Sequence, residues 1–122
     1  MPVVELADHA FFLSDVKTVV IPDSIIRVGN NLFNQAEYLQ YVKLPTSMTN
    51  LQSSFFYGCT ALEYFEIPPH ITNIEDGVFA KTGLRSIEIP ETVQTFQEKD
   101  DYLSGAYNLF WSCENLEHVK LP

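Results

Sequence analysis

The chain has 122 residues, 46% of them hydrophobic, which is enough for one domain with a modest buried core. Its formal net charge of −9 argues against nucleic acids and anionic membranes as partners, because both attract basic surfaces. No apolar run approaches the length of a membrane span, and the N-terminus shows no signal peptide. We therefore expect one globular unit without membrane insertion.

A seven-residue frame recurs along the chain. It opens on an apolar residue, has apolar residues at its fourth and sixth positions, and ends in proline. It occupies residues 16–22, 39–45, 62–68, 84–90 and 116–122, and its prolines are 23, 23, 22 and 32 residues apart. This spacing divides a single domain, residues 1–122, into repeats 1–22, 23–45, 46–68, 69–90 and 91–122.

Two further features recur in each repeat before the frame. The first is a pair of apolar residues three apart, as in Ile25/Val28 and Ile71/Ile74. The second is a phenylalanine, at positions 11, 33, 56, 79 and 110. The step from this phenylalanine to the frame is six residues in repeats two, three and five, and five residues in repeats one and four.

The period of the frame predicts its structure. Its fourth and sixth residues point to one side of a strand, so that Val42 and Leu44 are buried and stack on their equivalents in other repeats. Strands that all run in one direction form a parallel sheet, turn upon turn. The remaining roughly 16 residues are too few for a long helix with two loops, so we expect turns and short strands there. The phenylalanines are predicted to form an aromatic column in the core.

These motifs resemble a known family. Residues 71–79 (ITNIEDGVF), 56–62 (FYGCTAL) and the shorter 79–84 (FAKTGL) are similar to the BspA-like leucine-rich repeats of bacterial and protist surface proteins. The chain departs from the family pattern at Leu32, Phe55 and Leu109, where alanine is usual, and in its long fifth repeat. The resemblance implies a right-handed solenoid with a five-strand parallel concave sheet and a convex side of short strands and turns with little helix. It also implies a secreted or cell-surface location.

The third and fifth residues of each frame are expected on the exposed, concave side of the sheet, the usual binding surface of a solenoid. Tyr41 and Tyr64 are predicted to lie side by side, and tyrosine suits recognition. Opposite charges in the fifth-position column could instead simply pair across strands. The predicted partner-binding residues are Tyr41, Lys43, Tyr64, Glu66, Ser86, Glu88, His118 and Lys120, together with Tyr102 and Tyr107 of the fifth repeat.

Enzymatic and metal sites are not indicated. Ser86, Glu88 and His118 are of the residue types that form a hydrolase triad. A flat sheet provides no oxyanion pocket, however, and no G-x-S-x-G turn is present in the sequence. Cys59 and Cys113 occupy equivalent positions two turns apart, roughly 10 Å at the spacing of parallel strands, which is too far for a disulfide. We predict two buried free thiols, no metal and no cofactor.

An insertion of nine residues distinguishes the fifth repeat and lies within residues 97–108. Its charge, glycine and tyrosine content predict an exposed loop, and Tyr102 and Tyr107 are candidates for partner contact. Its acidic residues do not have the spacing of an EF-hand calcium loop. The last frame presents an unpaired strand edge, from which we predict end-to-end self-association.

The expected function is non-enzymatic binding or adhesion to a protein whose identity the sequence does not reveal. The alternative is a structural spacer within a larger multi-repeat surface protein. Both expectations follow from the architecture and the family resemblance.

Overall fold

The computed structural model describes residues 5–96 and 109–121. Nine short strands follow one another in this part of the chain, and only residues 109 and 110 have helical geometry. The strands are β1 (Glu5–Leu6), β2 (Thr18–Val20), β3 (Arg27–Val28), β4 (Tyr41–Lys43), β5 (Asn50–Leu51), β6 (Asn73–Ile74), β7 (Ser86–Glu88), β8 (Thr95–Phe96) and β9 (His118–Lys120). The scarcity of helix agrees with the expectation of a solenoid built from strands and turns.

The second apolar residue of each pair, together with the residue before it, forms one of the five two-residue strands β1, β3, β5, β6 and β8. All their pairings are parallel and connect equivalent positions of successive repeats. β1 pairs with β3, while β5, β6 and β8 form one three-stranded sheet. Leu51 thus lies opposite Ile74, which confirms the predicted short strands on this side of the solenoid.

The frames form the second series of strands, β2, β4, β7 and β9, with an isolated bridge in the third frame. Val19 lies opposite Val42, and Ile87 lies opposite Val119, as the stacking of the fourth frame residues predicts. Tyr64 makes a single parallel bridge to Ser86. The repeat fold of parallel strands and turns is therefore confirmed. The predicted five-strand sheet is not: the frames form two two-stranded sheets, β2 with β4 and β7 with β9, and the third frame contributes only an isolated bridge.

The predicted aromatic column fills the core. The rings of Phe11, Phe33, Phe56, Phe79 and Phe110 stack in sequence, with 5.3 to 6.0 Å between neighbouring centroids and interplanar angles of 7° to 12°. The three central rings are fully buried. Stacking at this distance lets every turn bury its ring against the next one, so the packing of each repeat depends on its neighbours.

The second and third turns are joined by few backbone hydrogen bonds, and we call this junction the seam. Five hydrogen bonds that involve side chains also cross it in the part of the chain that the structure describes. Among the described residues, no strand pairing joins β3 to β5, or β4 to the third frame. Only Gln35 N–H to Tyr57 O (2.6 Å) and Ala61 N–H to Glu37 O (3.2 Å) connect the two backbones. Even without the strand ladders, seven backbone hydrogen bonds join the first two turns and eight join the third and fourth.

Two larger side chains distinguish the third turn at the seam. The third turn has Phe55 where the second has Leu32, and Phe65 where the second has Val42. The ring of Phe55 lies 5.4 Å from that of Phe33, and Phe65 packs against Phe56 at 4.9 Å. Phe55 therefore places an additional ring against the second turn, whereas the ring of Phe65 contacts Phe56 of its own turn and Phe79 of the fourth turn.

Left-handed backbone recurs two residues before and two residues after the column phenylalanines. Gly58 and Gly77 adopt it with φ of 78° and 69°. At the equivalent positions, Leu13 and Lys81 both have φ of 56°, although this conformation costs a side-chain-bearing residue about 1 kcal/mol. The turn geometry is therefore imposed by packing between turns, and glycine marks it in only some repeats.

Three expectations need correction or remain outside the described residues. Val119 and Leu121 of the last frame are 37% and 59% exposed rather than buried, because no described turn packs on their outer side. Cys113 is half-buried for the same reason, whereas Cys59 is buried as predicted. Residues 97–108, which include Tyr102 and Tyr107, lie outside the described part of the chain.

Candidate functional site

The exposed third and fifth residues of the frames lie on one side of the frame strands, and we call this surface the frame face. Tyr41 and Tyr64 are 54% and 63% exposed, and both belong to the third-position column. Strands β4 and β7 alternate exposed, buried, exposed. The frame face therefore comprises the predicted set Thr18, Val20, Tyr41, Lys43, Tyr64, Glu66, Ser86, Glu88, His118 and Lys120, all of them exposed.

Two grooves flank the third frame on this face. The larger has a volume of about 820 Å³ and runs between Tyr64 and the strands that carry Ser86 and His118. The smaller, of about 320 Å³, follows the seam and is lined by both tyrosines, by Lys43 and Glu66 and by apolar residues beneath them. Tyr41 and Tyr64 line both grooves, although the bridge of Tyr64 is to Ser86 and not to Tyr41.

The smaller groove includes residues that the frame pattern does not indicate. Pro68, Pro69 and His70 follow the third frame and form one end of it. The Nδ1 atom of His70 lies 2.6 Å from the carbonyl oxygen of Met48, which holds the imidazole in place. The Pro-Pro-His sequence, which occurs in no other repeat, is the only signal that could have singled out this end.

Among the described residues of the frame face, some charged side chains form ion pairs across strands, and others do not. Lys120 and Glu88 pair across β9 and β7, with 3.5 Å between Nζ and Oε1, as the cross-strand alternative predicted. Both side chains are more than half exposed, so the pair contributes little to stability. Lys43 and Glu66 occupy the same column across the seam, and no ion pair is found between them in residues 5–96 and 109–121.

The structure gives no support to a hydrolase. Ser86 and His118 are register partners on neighbouring strands, as predicted, and Glu88 lies two residues from Ser86. All three side chains are exposed to solvent along the larger groove, and Glu88 is engaged with Lys120. A catalytic triad requires a buried orienting carboxylate and preorganised oxyanion donors, which an open strand surface does not supply.

A polar cluster on the short strands was not predicted. The side-chain amide of Asn73 donates to Asn50 Oδ1 at 2.5 Å, and the amide of Asn50 donates to the carboxylate of Glu75. Ser53 donates to Asp76 at 2.7 Å. These groups satisfy one another between successive turns, so we assign them a structural role. In the described parts of the chain, no group of three or more His, Cys, Asp or Glu residues could hold a metal ion.

The two thiols are hydrogen-bonded to the preceding turn. Cys59 Sγ lies 3.2 Å from the carbonyl oxygen of Phe33, and Cys113 Sγ lies 2.9 Å from that of Phe79. Burial raises the pKa of the Cys59 thiol to about 12. A thiolate is the reactive form of cysteine, so the native environment keeps Cys59 inert.

Burial of the Cys59 thiol makes the free energy of unfolding depend on pH in the alkaline range. The Cys59 thiol stays protonated in the folded protein up to about pH 12, whereas the unfolded chain ionises it near pH 9. The contribution of the protonated Cys59 thiol to the free energy of unfolding is therefore complete below pH 9. It is lost as the pH rises toward 12, by up to about 1.4 kcal/mol per pH unit. Denaturant titrations between pH 8 and 11 should show this loss.

The matched control is Cys59→Ala, since the second turn has Ala36 at this position. This variant keeps every other ionisable side chain of the protein. It should therefore show a shallower decline in the free energy of unfolding between pH 9 and 11. An identical decline in both proteins would contradict the assignment to Cys59.

Short turns that each contribute one frame strand to a parallel series define a leucine-rich repeat protein. The family model described as a BspA type leucine rich repeat region matches residues 2–102 in six copies. The chain therefore belongs to this family, which confirms the resemblance seen in the sequence. No protein of curated function matches the chain.

Solved structures of bacterial leucine-rich repeat proteins are similar in fold. A leucine rich cell surface protein of Faecalibacterium prausnitzii superposes with a TM-score of 0.78 at 29% identity, over 99% of this chain and 31% of that protein. A leucine rich repeat protein of Treponema pallidum superposes with a TM-score of 0.75 at 24% identity, over 98% of this chain and 64% of that protein. A leucine-rich repeat protein of Bacteroides ovatus superposes with a TM-score of 0.65 at 21% identity, over 97% of this chain and 46% of that protein.

The chain thus spans less than two thirds of the length of each of these relatives. In residues 5–96 and 109–121, no helix has the length and apolar character needed to cross a membrane.

Proposed function

We propose that this chain is a non-enzymatic protein-binding module that recognises a protein partner through the frame face. The observation that supports this most directly is the pair of exposed tyrosines, Tyr41 and Tyr64, which line two adjoining grooves. Exposed aromatic rings on a rigid scaffold bury much area for little loss of conformational entropy, and such residues dominate binding energy at interfaces. The cell-surface relative from F. prausnitzii supports a location at the cell surface or outside the cell.

The size of the frame face restricts the affinity. Five frames at the spacing of parallel strands give a projected area of only about 250–300 Å², against roughly 800 Å² per partner in a typical stable complex. A single module is therefore expected to bind weakly. Repetition of the module within a longer array would raise the overall affinity by avidity.

The test is binding to a panel of purified secreted and surface proteins, measured by biolayer interferometry. Tyr41→Ala combined with Tyr64→Ala should weaken binding at least about tenfold, because the two rings supply most of the aromatic area of the frame face. Tyr38→Ala is the matched control, since Tyr38 is equally exposed but lines neither groove. Equal affinity of the double variant and the wild type for a partner would refute binding through this face.

The second candidate function is a structural spacer within a longer surface protein. It is favoured by the fact that the chain covers only 31% of its F. prausnitzii relative. A spacer would bind no member of the panel, while its removal from the parent protein would shorten the reach of that protein.

A further inference from the structure

The seam coincides with a groove on the frame face, and this coincidence points to a specific kind of ligand. The two backbones that border the groove, at residues 41–44 and 64–67, are joined by no hydrogen bond among the described residues. The groove can therefore adjust its width without breaking a strand ladder, while the stacked rings of Phe33 and Phe56 hold the turns together below it.

The lining of the seam groove is suited to one apolar side chain. Val42, Leu44 and Phe65 lie along it, and the rings of Tyr41 and Tyr64 stand on either side. No ring contact joins Tyr41 and Tyr64 among the described residues, and both side chains border the open volume of the groove. Its volume of about 320 Å³ is in the range that accommodates a large side chain with part of its backbone.

The charges beside the groove match a peptide group. Lys43 borders the groove from the second turn and Glu66 from the third, so a cation and an anion face each other across it. A peptide group presents a C=O acceptor and an N–H donor in opposite directions. The C=O can accept from Lys43 while the N–H donates to Glu66, and hydrogen bonds to charged partners are stronger than those between neutral groups.

We propose that the seam groove binds an extended peptide segment of a partner protein, with one large apolar side chain between Tyr41 and Tyr64. The following peptide group lies between Lys43 and Glu66. This inference rests on the proposed protein-binding function and assigns the anchoring contact within it. The equivalent charges two turns further on, Glu88 and Lys120, already pair with each other and are not available in this way.

The probe is the capped tripeptide N-acetyl-Gly-Phe-Gly-amide, titrated into the whole chain and followed by backbone amide NMR. We expect saturable shifts at residues 41–44 and 64–67 with a Kd of about 1 mM, as befits a ligand of this size. Replacing the phenylalanine of the peptide with alanine should weaken binding at least about tenfold, because the apolar anchor is lost.

Matched variants test the charge contacts. Glu66→Gln removes the anion from the groove and should weaken binding of the phenylalanine peptide about fivefold. Glu88→Gln removes the equivalent anion one turn further on and should leave the affinity unchanged. Both positions are exposed, so folding is preserved in each variant, and the NMR spectrum itself verifies this.

Three outcomes would overturn the inference. The first is a set of shifts confined to residues 86–88 and 118–120, and the second is equal binding of the phenylalanine and alanine peptides. The third is the lack of a saturable shift at a peptide concentration of about 5 mM, several times the expected Kd. A response to methyl glucoside without a response to the peptide would likewise replace the peptide by a sugar as ligand. Binding in the neighbouring groove would still be compatible with the proposed function, whose own test is the protein panel.

Discussion

Replacement of Phe56 by alanine lowers the free energy of unfolding by about 3–5 kcal/mol. Phe56 is fully buried, and its ring stacks on Phe33 and Phe79 and packs against Phe55 and Phe65. Truncation removes a ring that four others contact, and the neighbouring turns cannot collapse onto the cavity without breaking register. Equilibrium denaturation in urea measures the loss as a reduced transition midpoint.

Phe12→Ala provides the comparison for this prediction. Phe12 also is an aromatic residue next to the column, but 41% of it is exposed, and its ring contact is with His9. Its loss should cost less than about 1 kcal/mol. Similar midpoints for the two variants would mean that the aromatic column does not carry the stability of the solenoid.

Gly83→Ala is the second large effect that we expect, and its cause is steric. A Cβ atom at Gly83 would lie 2.1 Å from the carbonyl oxygen of Thr60 and 3.0 Å from its carbonyl carbon. Both atoms belong to the backbone of the preceding turn, which is also bound to Gly83 through the hydrogen bond from its N–H to Cys59 O at 3.2 Å. Separating the turns to admit the methyl group should cost about 3 kcal/mol, as severe overpacking does.

Thermal unfolding followed by circular dichroism would show this cost as a lower Tm. The control is Lys81→Ala, two residues away in the same turn, where the side chain is exposed and the residue already carries a Cβ. That change should alter stability by no more than about 0.5 kcal/mol. A Gly83→Ala protein as stable as the control would show that the third and fourth turns are less closely packed than the structure indicates.

The register of this solenoid follows directly from its sequence. Once the frames are aligned, Val19 must lie opposite Val42, and Ile87 opposite Val119, because any shift by one residue would turn an apolar side chain outward. The exposure of the frame face follows from the same alternation. These features are determined by a simple period, and that is why they were predictable from one sequence.

The seam was not predictable from the same pattern. Phe65 fits the apolar fourth position of the frame as well as Ile87 does. Only the structure shows that the frame with this larger ring makes no strand pairing with β4. The left-handed turns were missed for a related reason. Leu13 and Lys81 adopt them without the glycine that normally marks such a backbone, because contacts between turns override local preference.

The seam has a mechanical consequence. If the protein is stretched along the solenoid axis, tension passes from turn to turn through the hydrogen bonds and side-chain packing between them. Among the described residues, two backbone hydrogen bonds between distant residues and five that involve side chains carry that load from the second turn to the third. Eight backbone hydrogen bonds and the ladder between β5 and β6 carry it from the third to the fourth. We therefore expect the backbones to separate first at this junction, so that applied force would change the width of the seam groove.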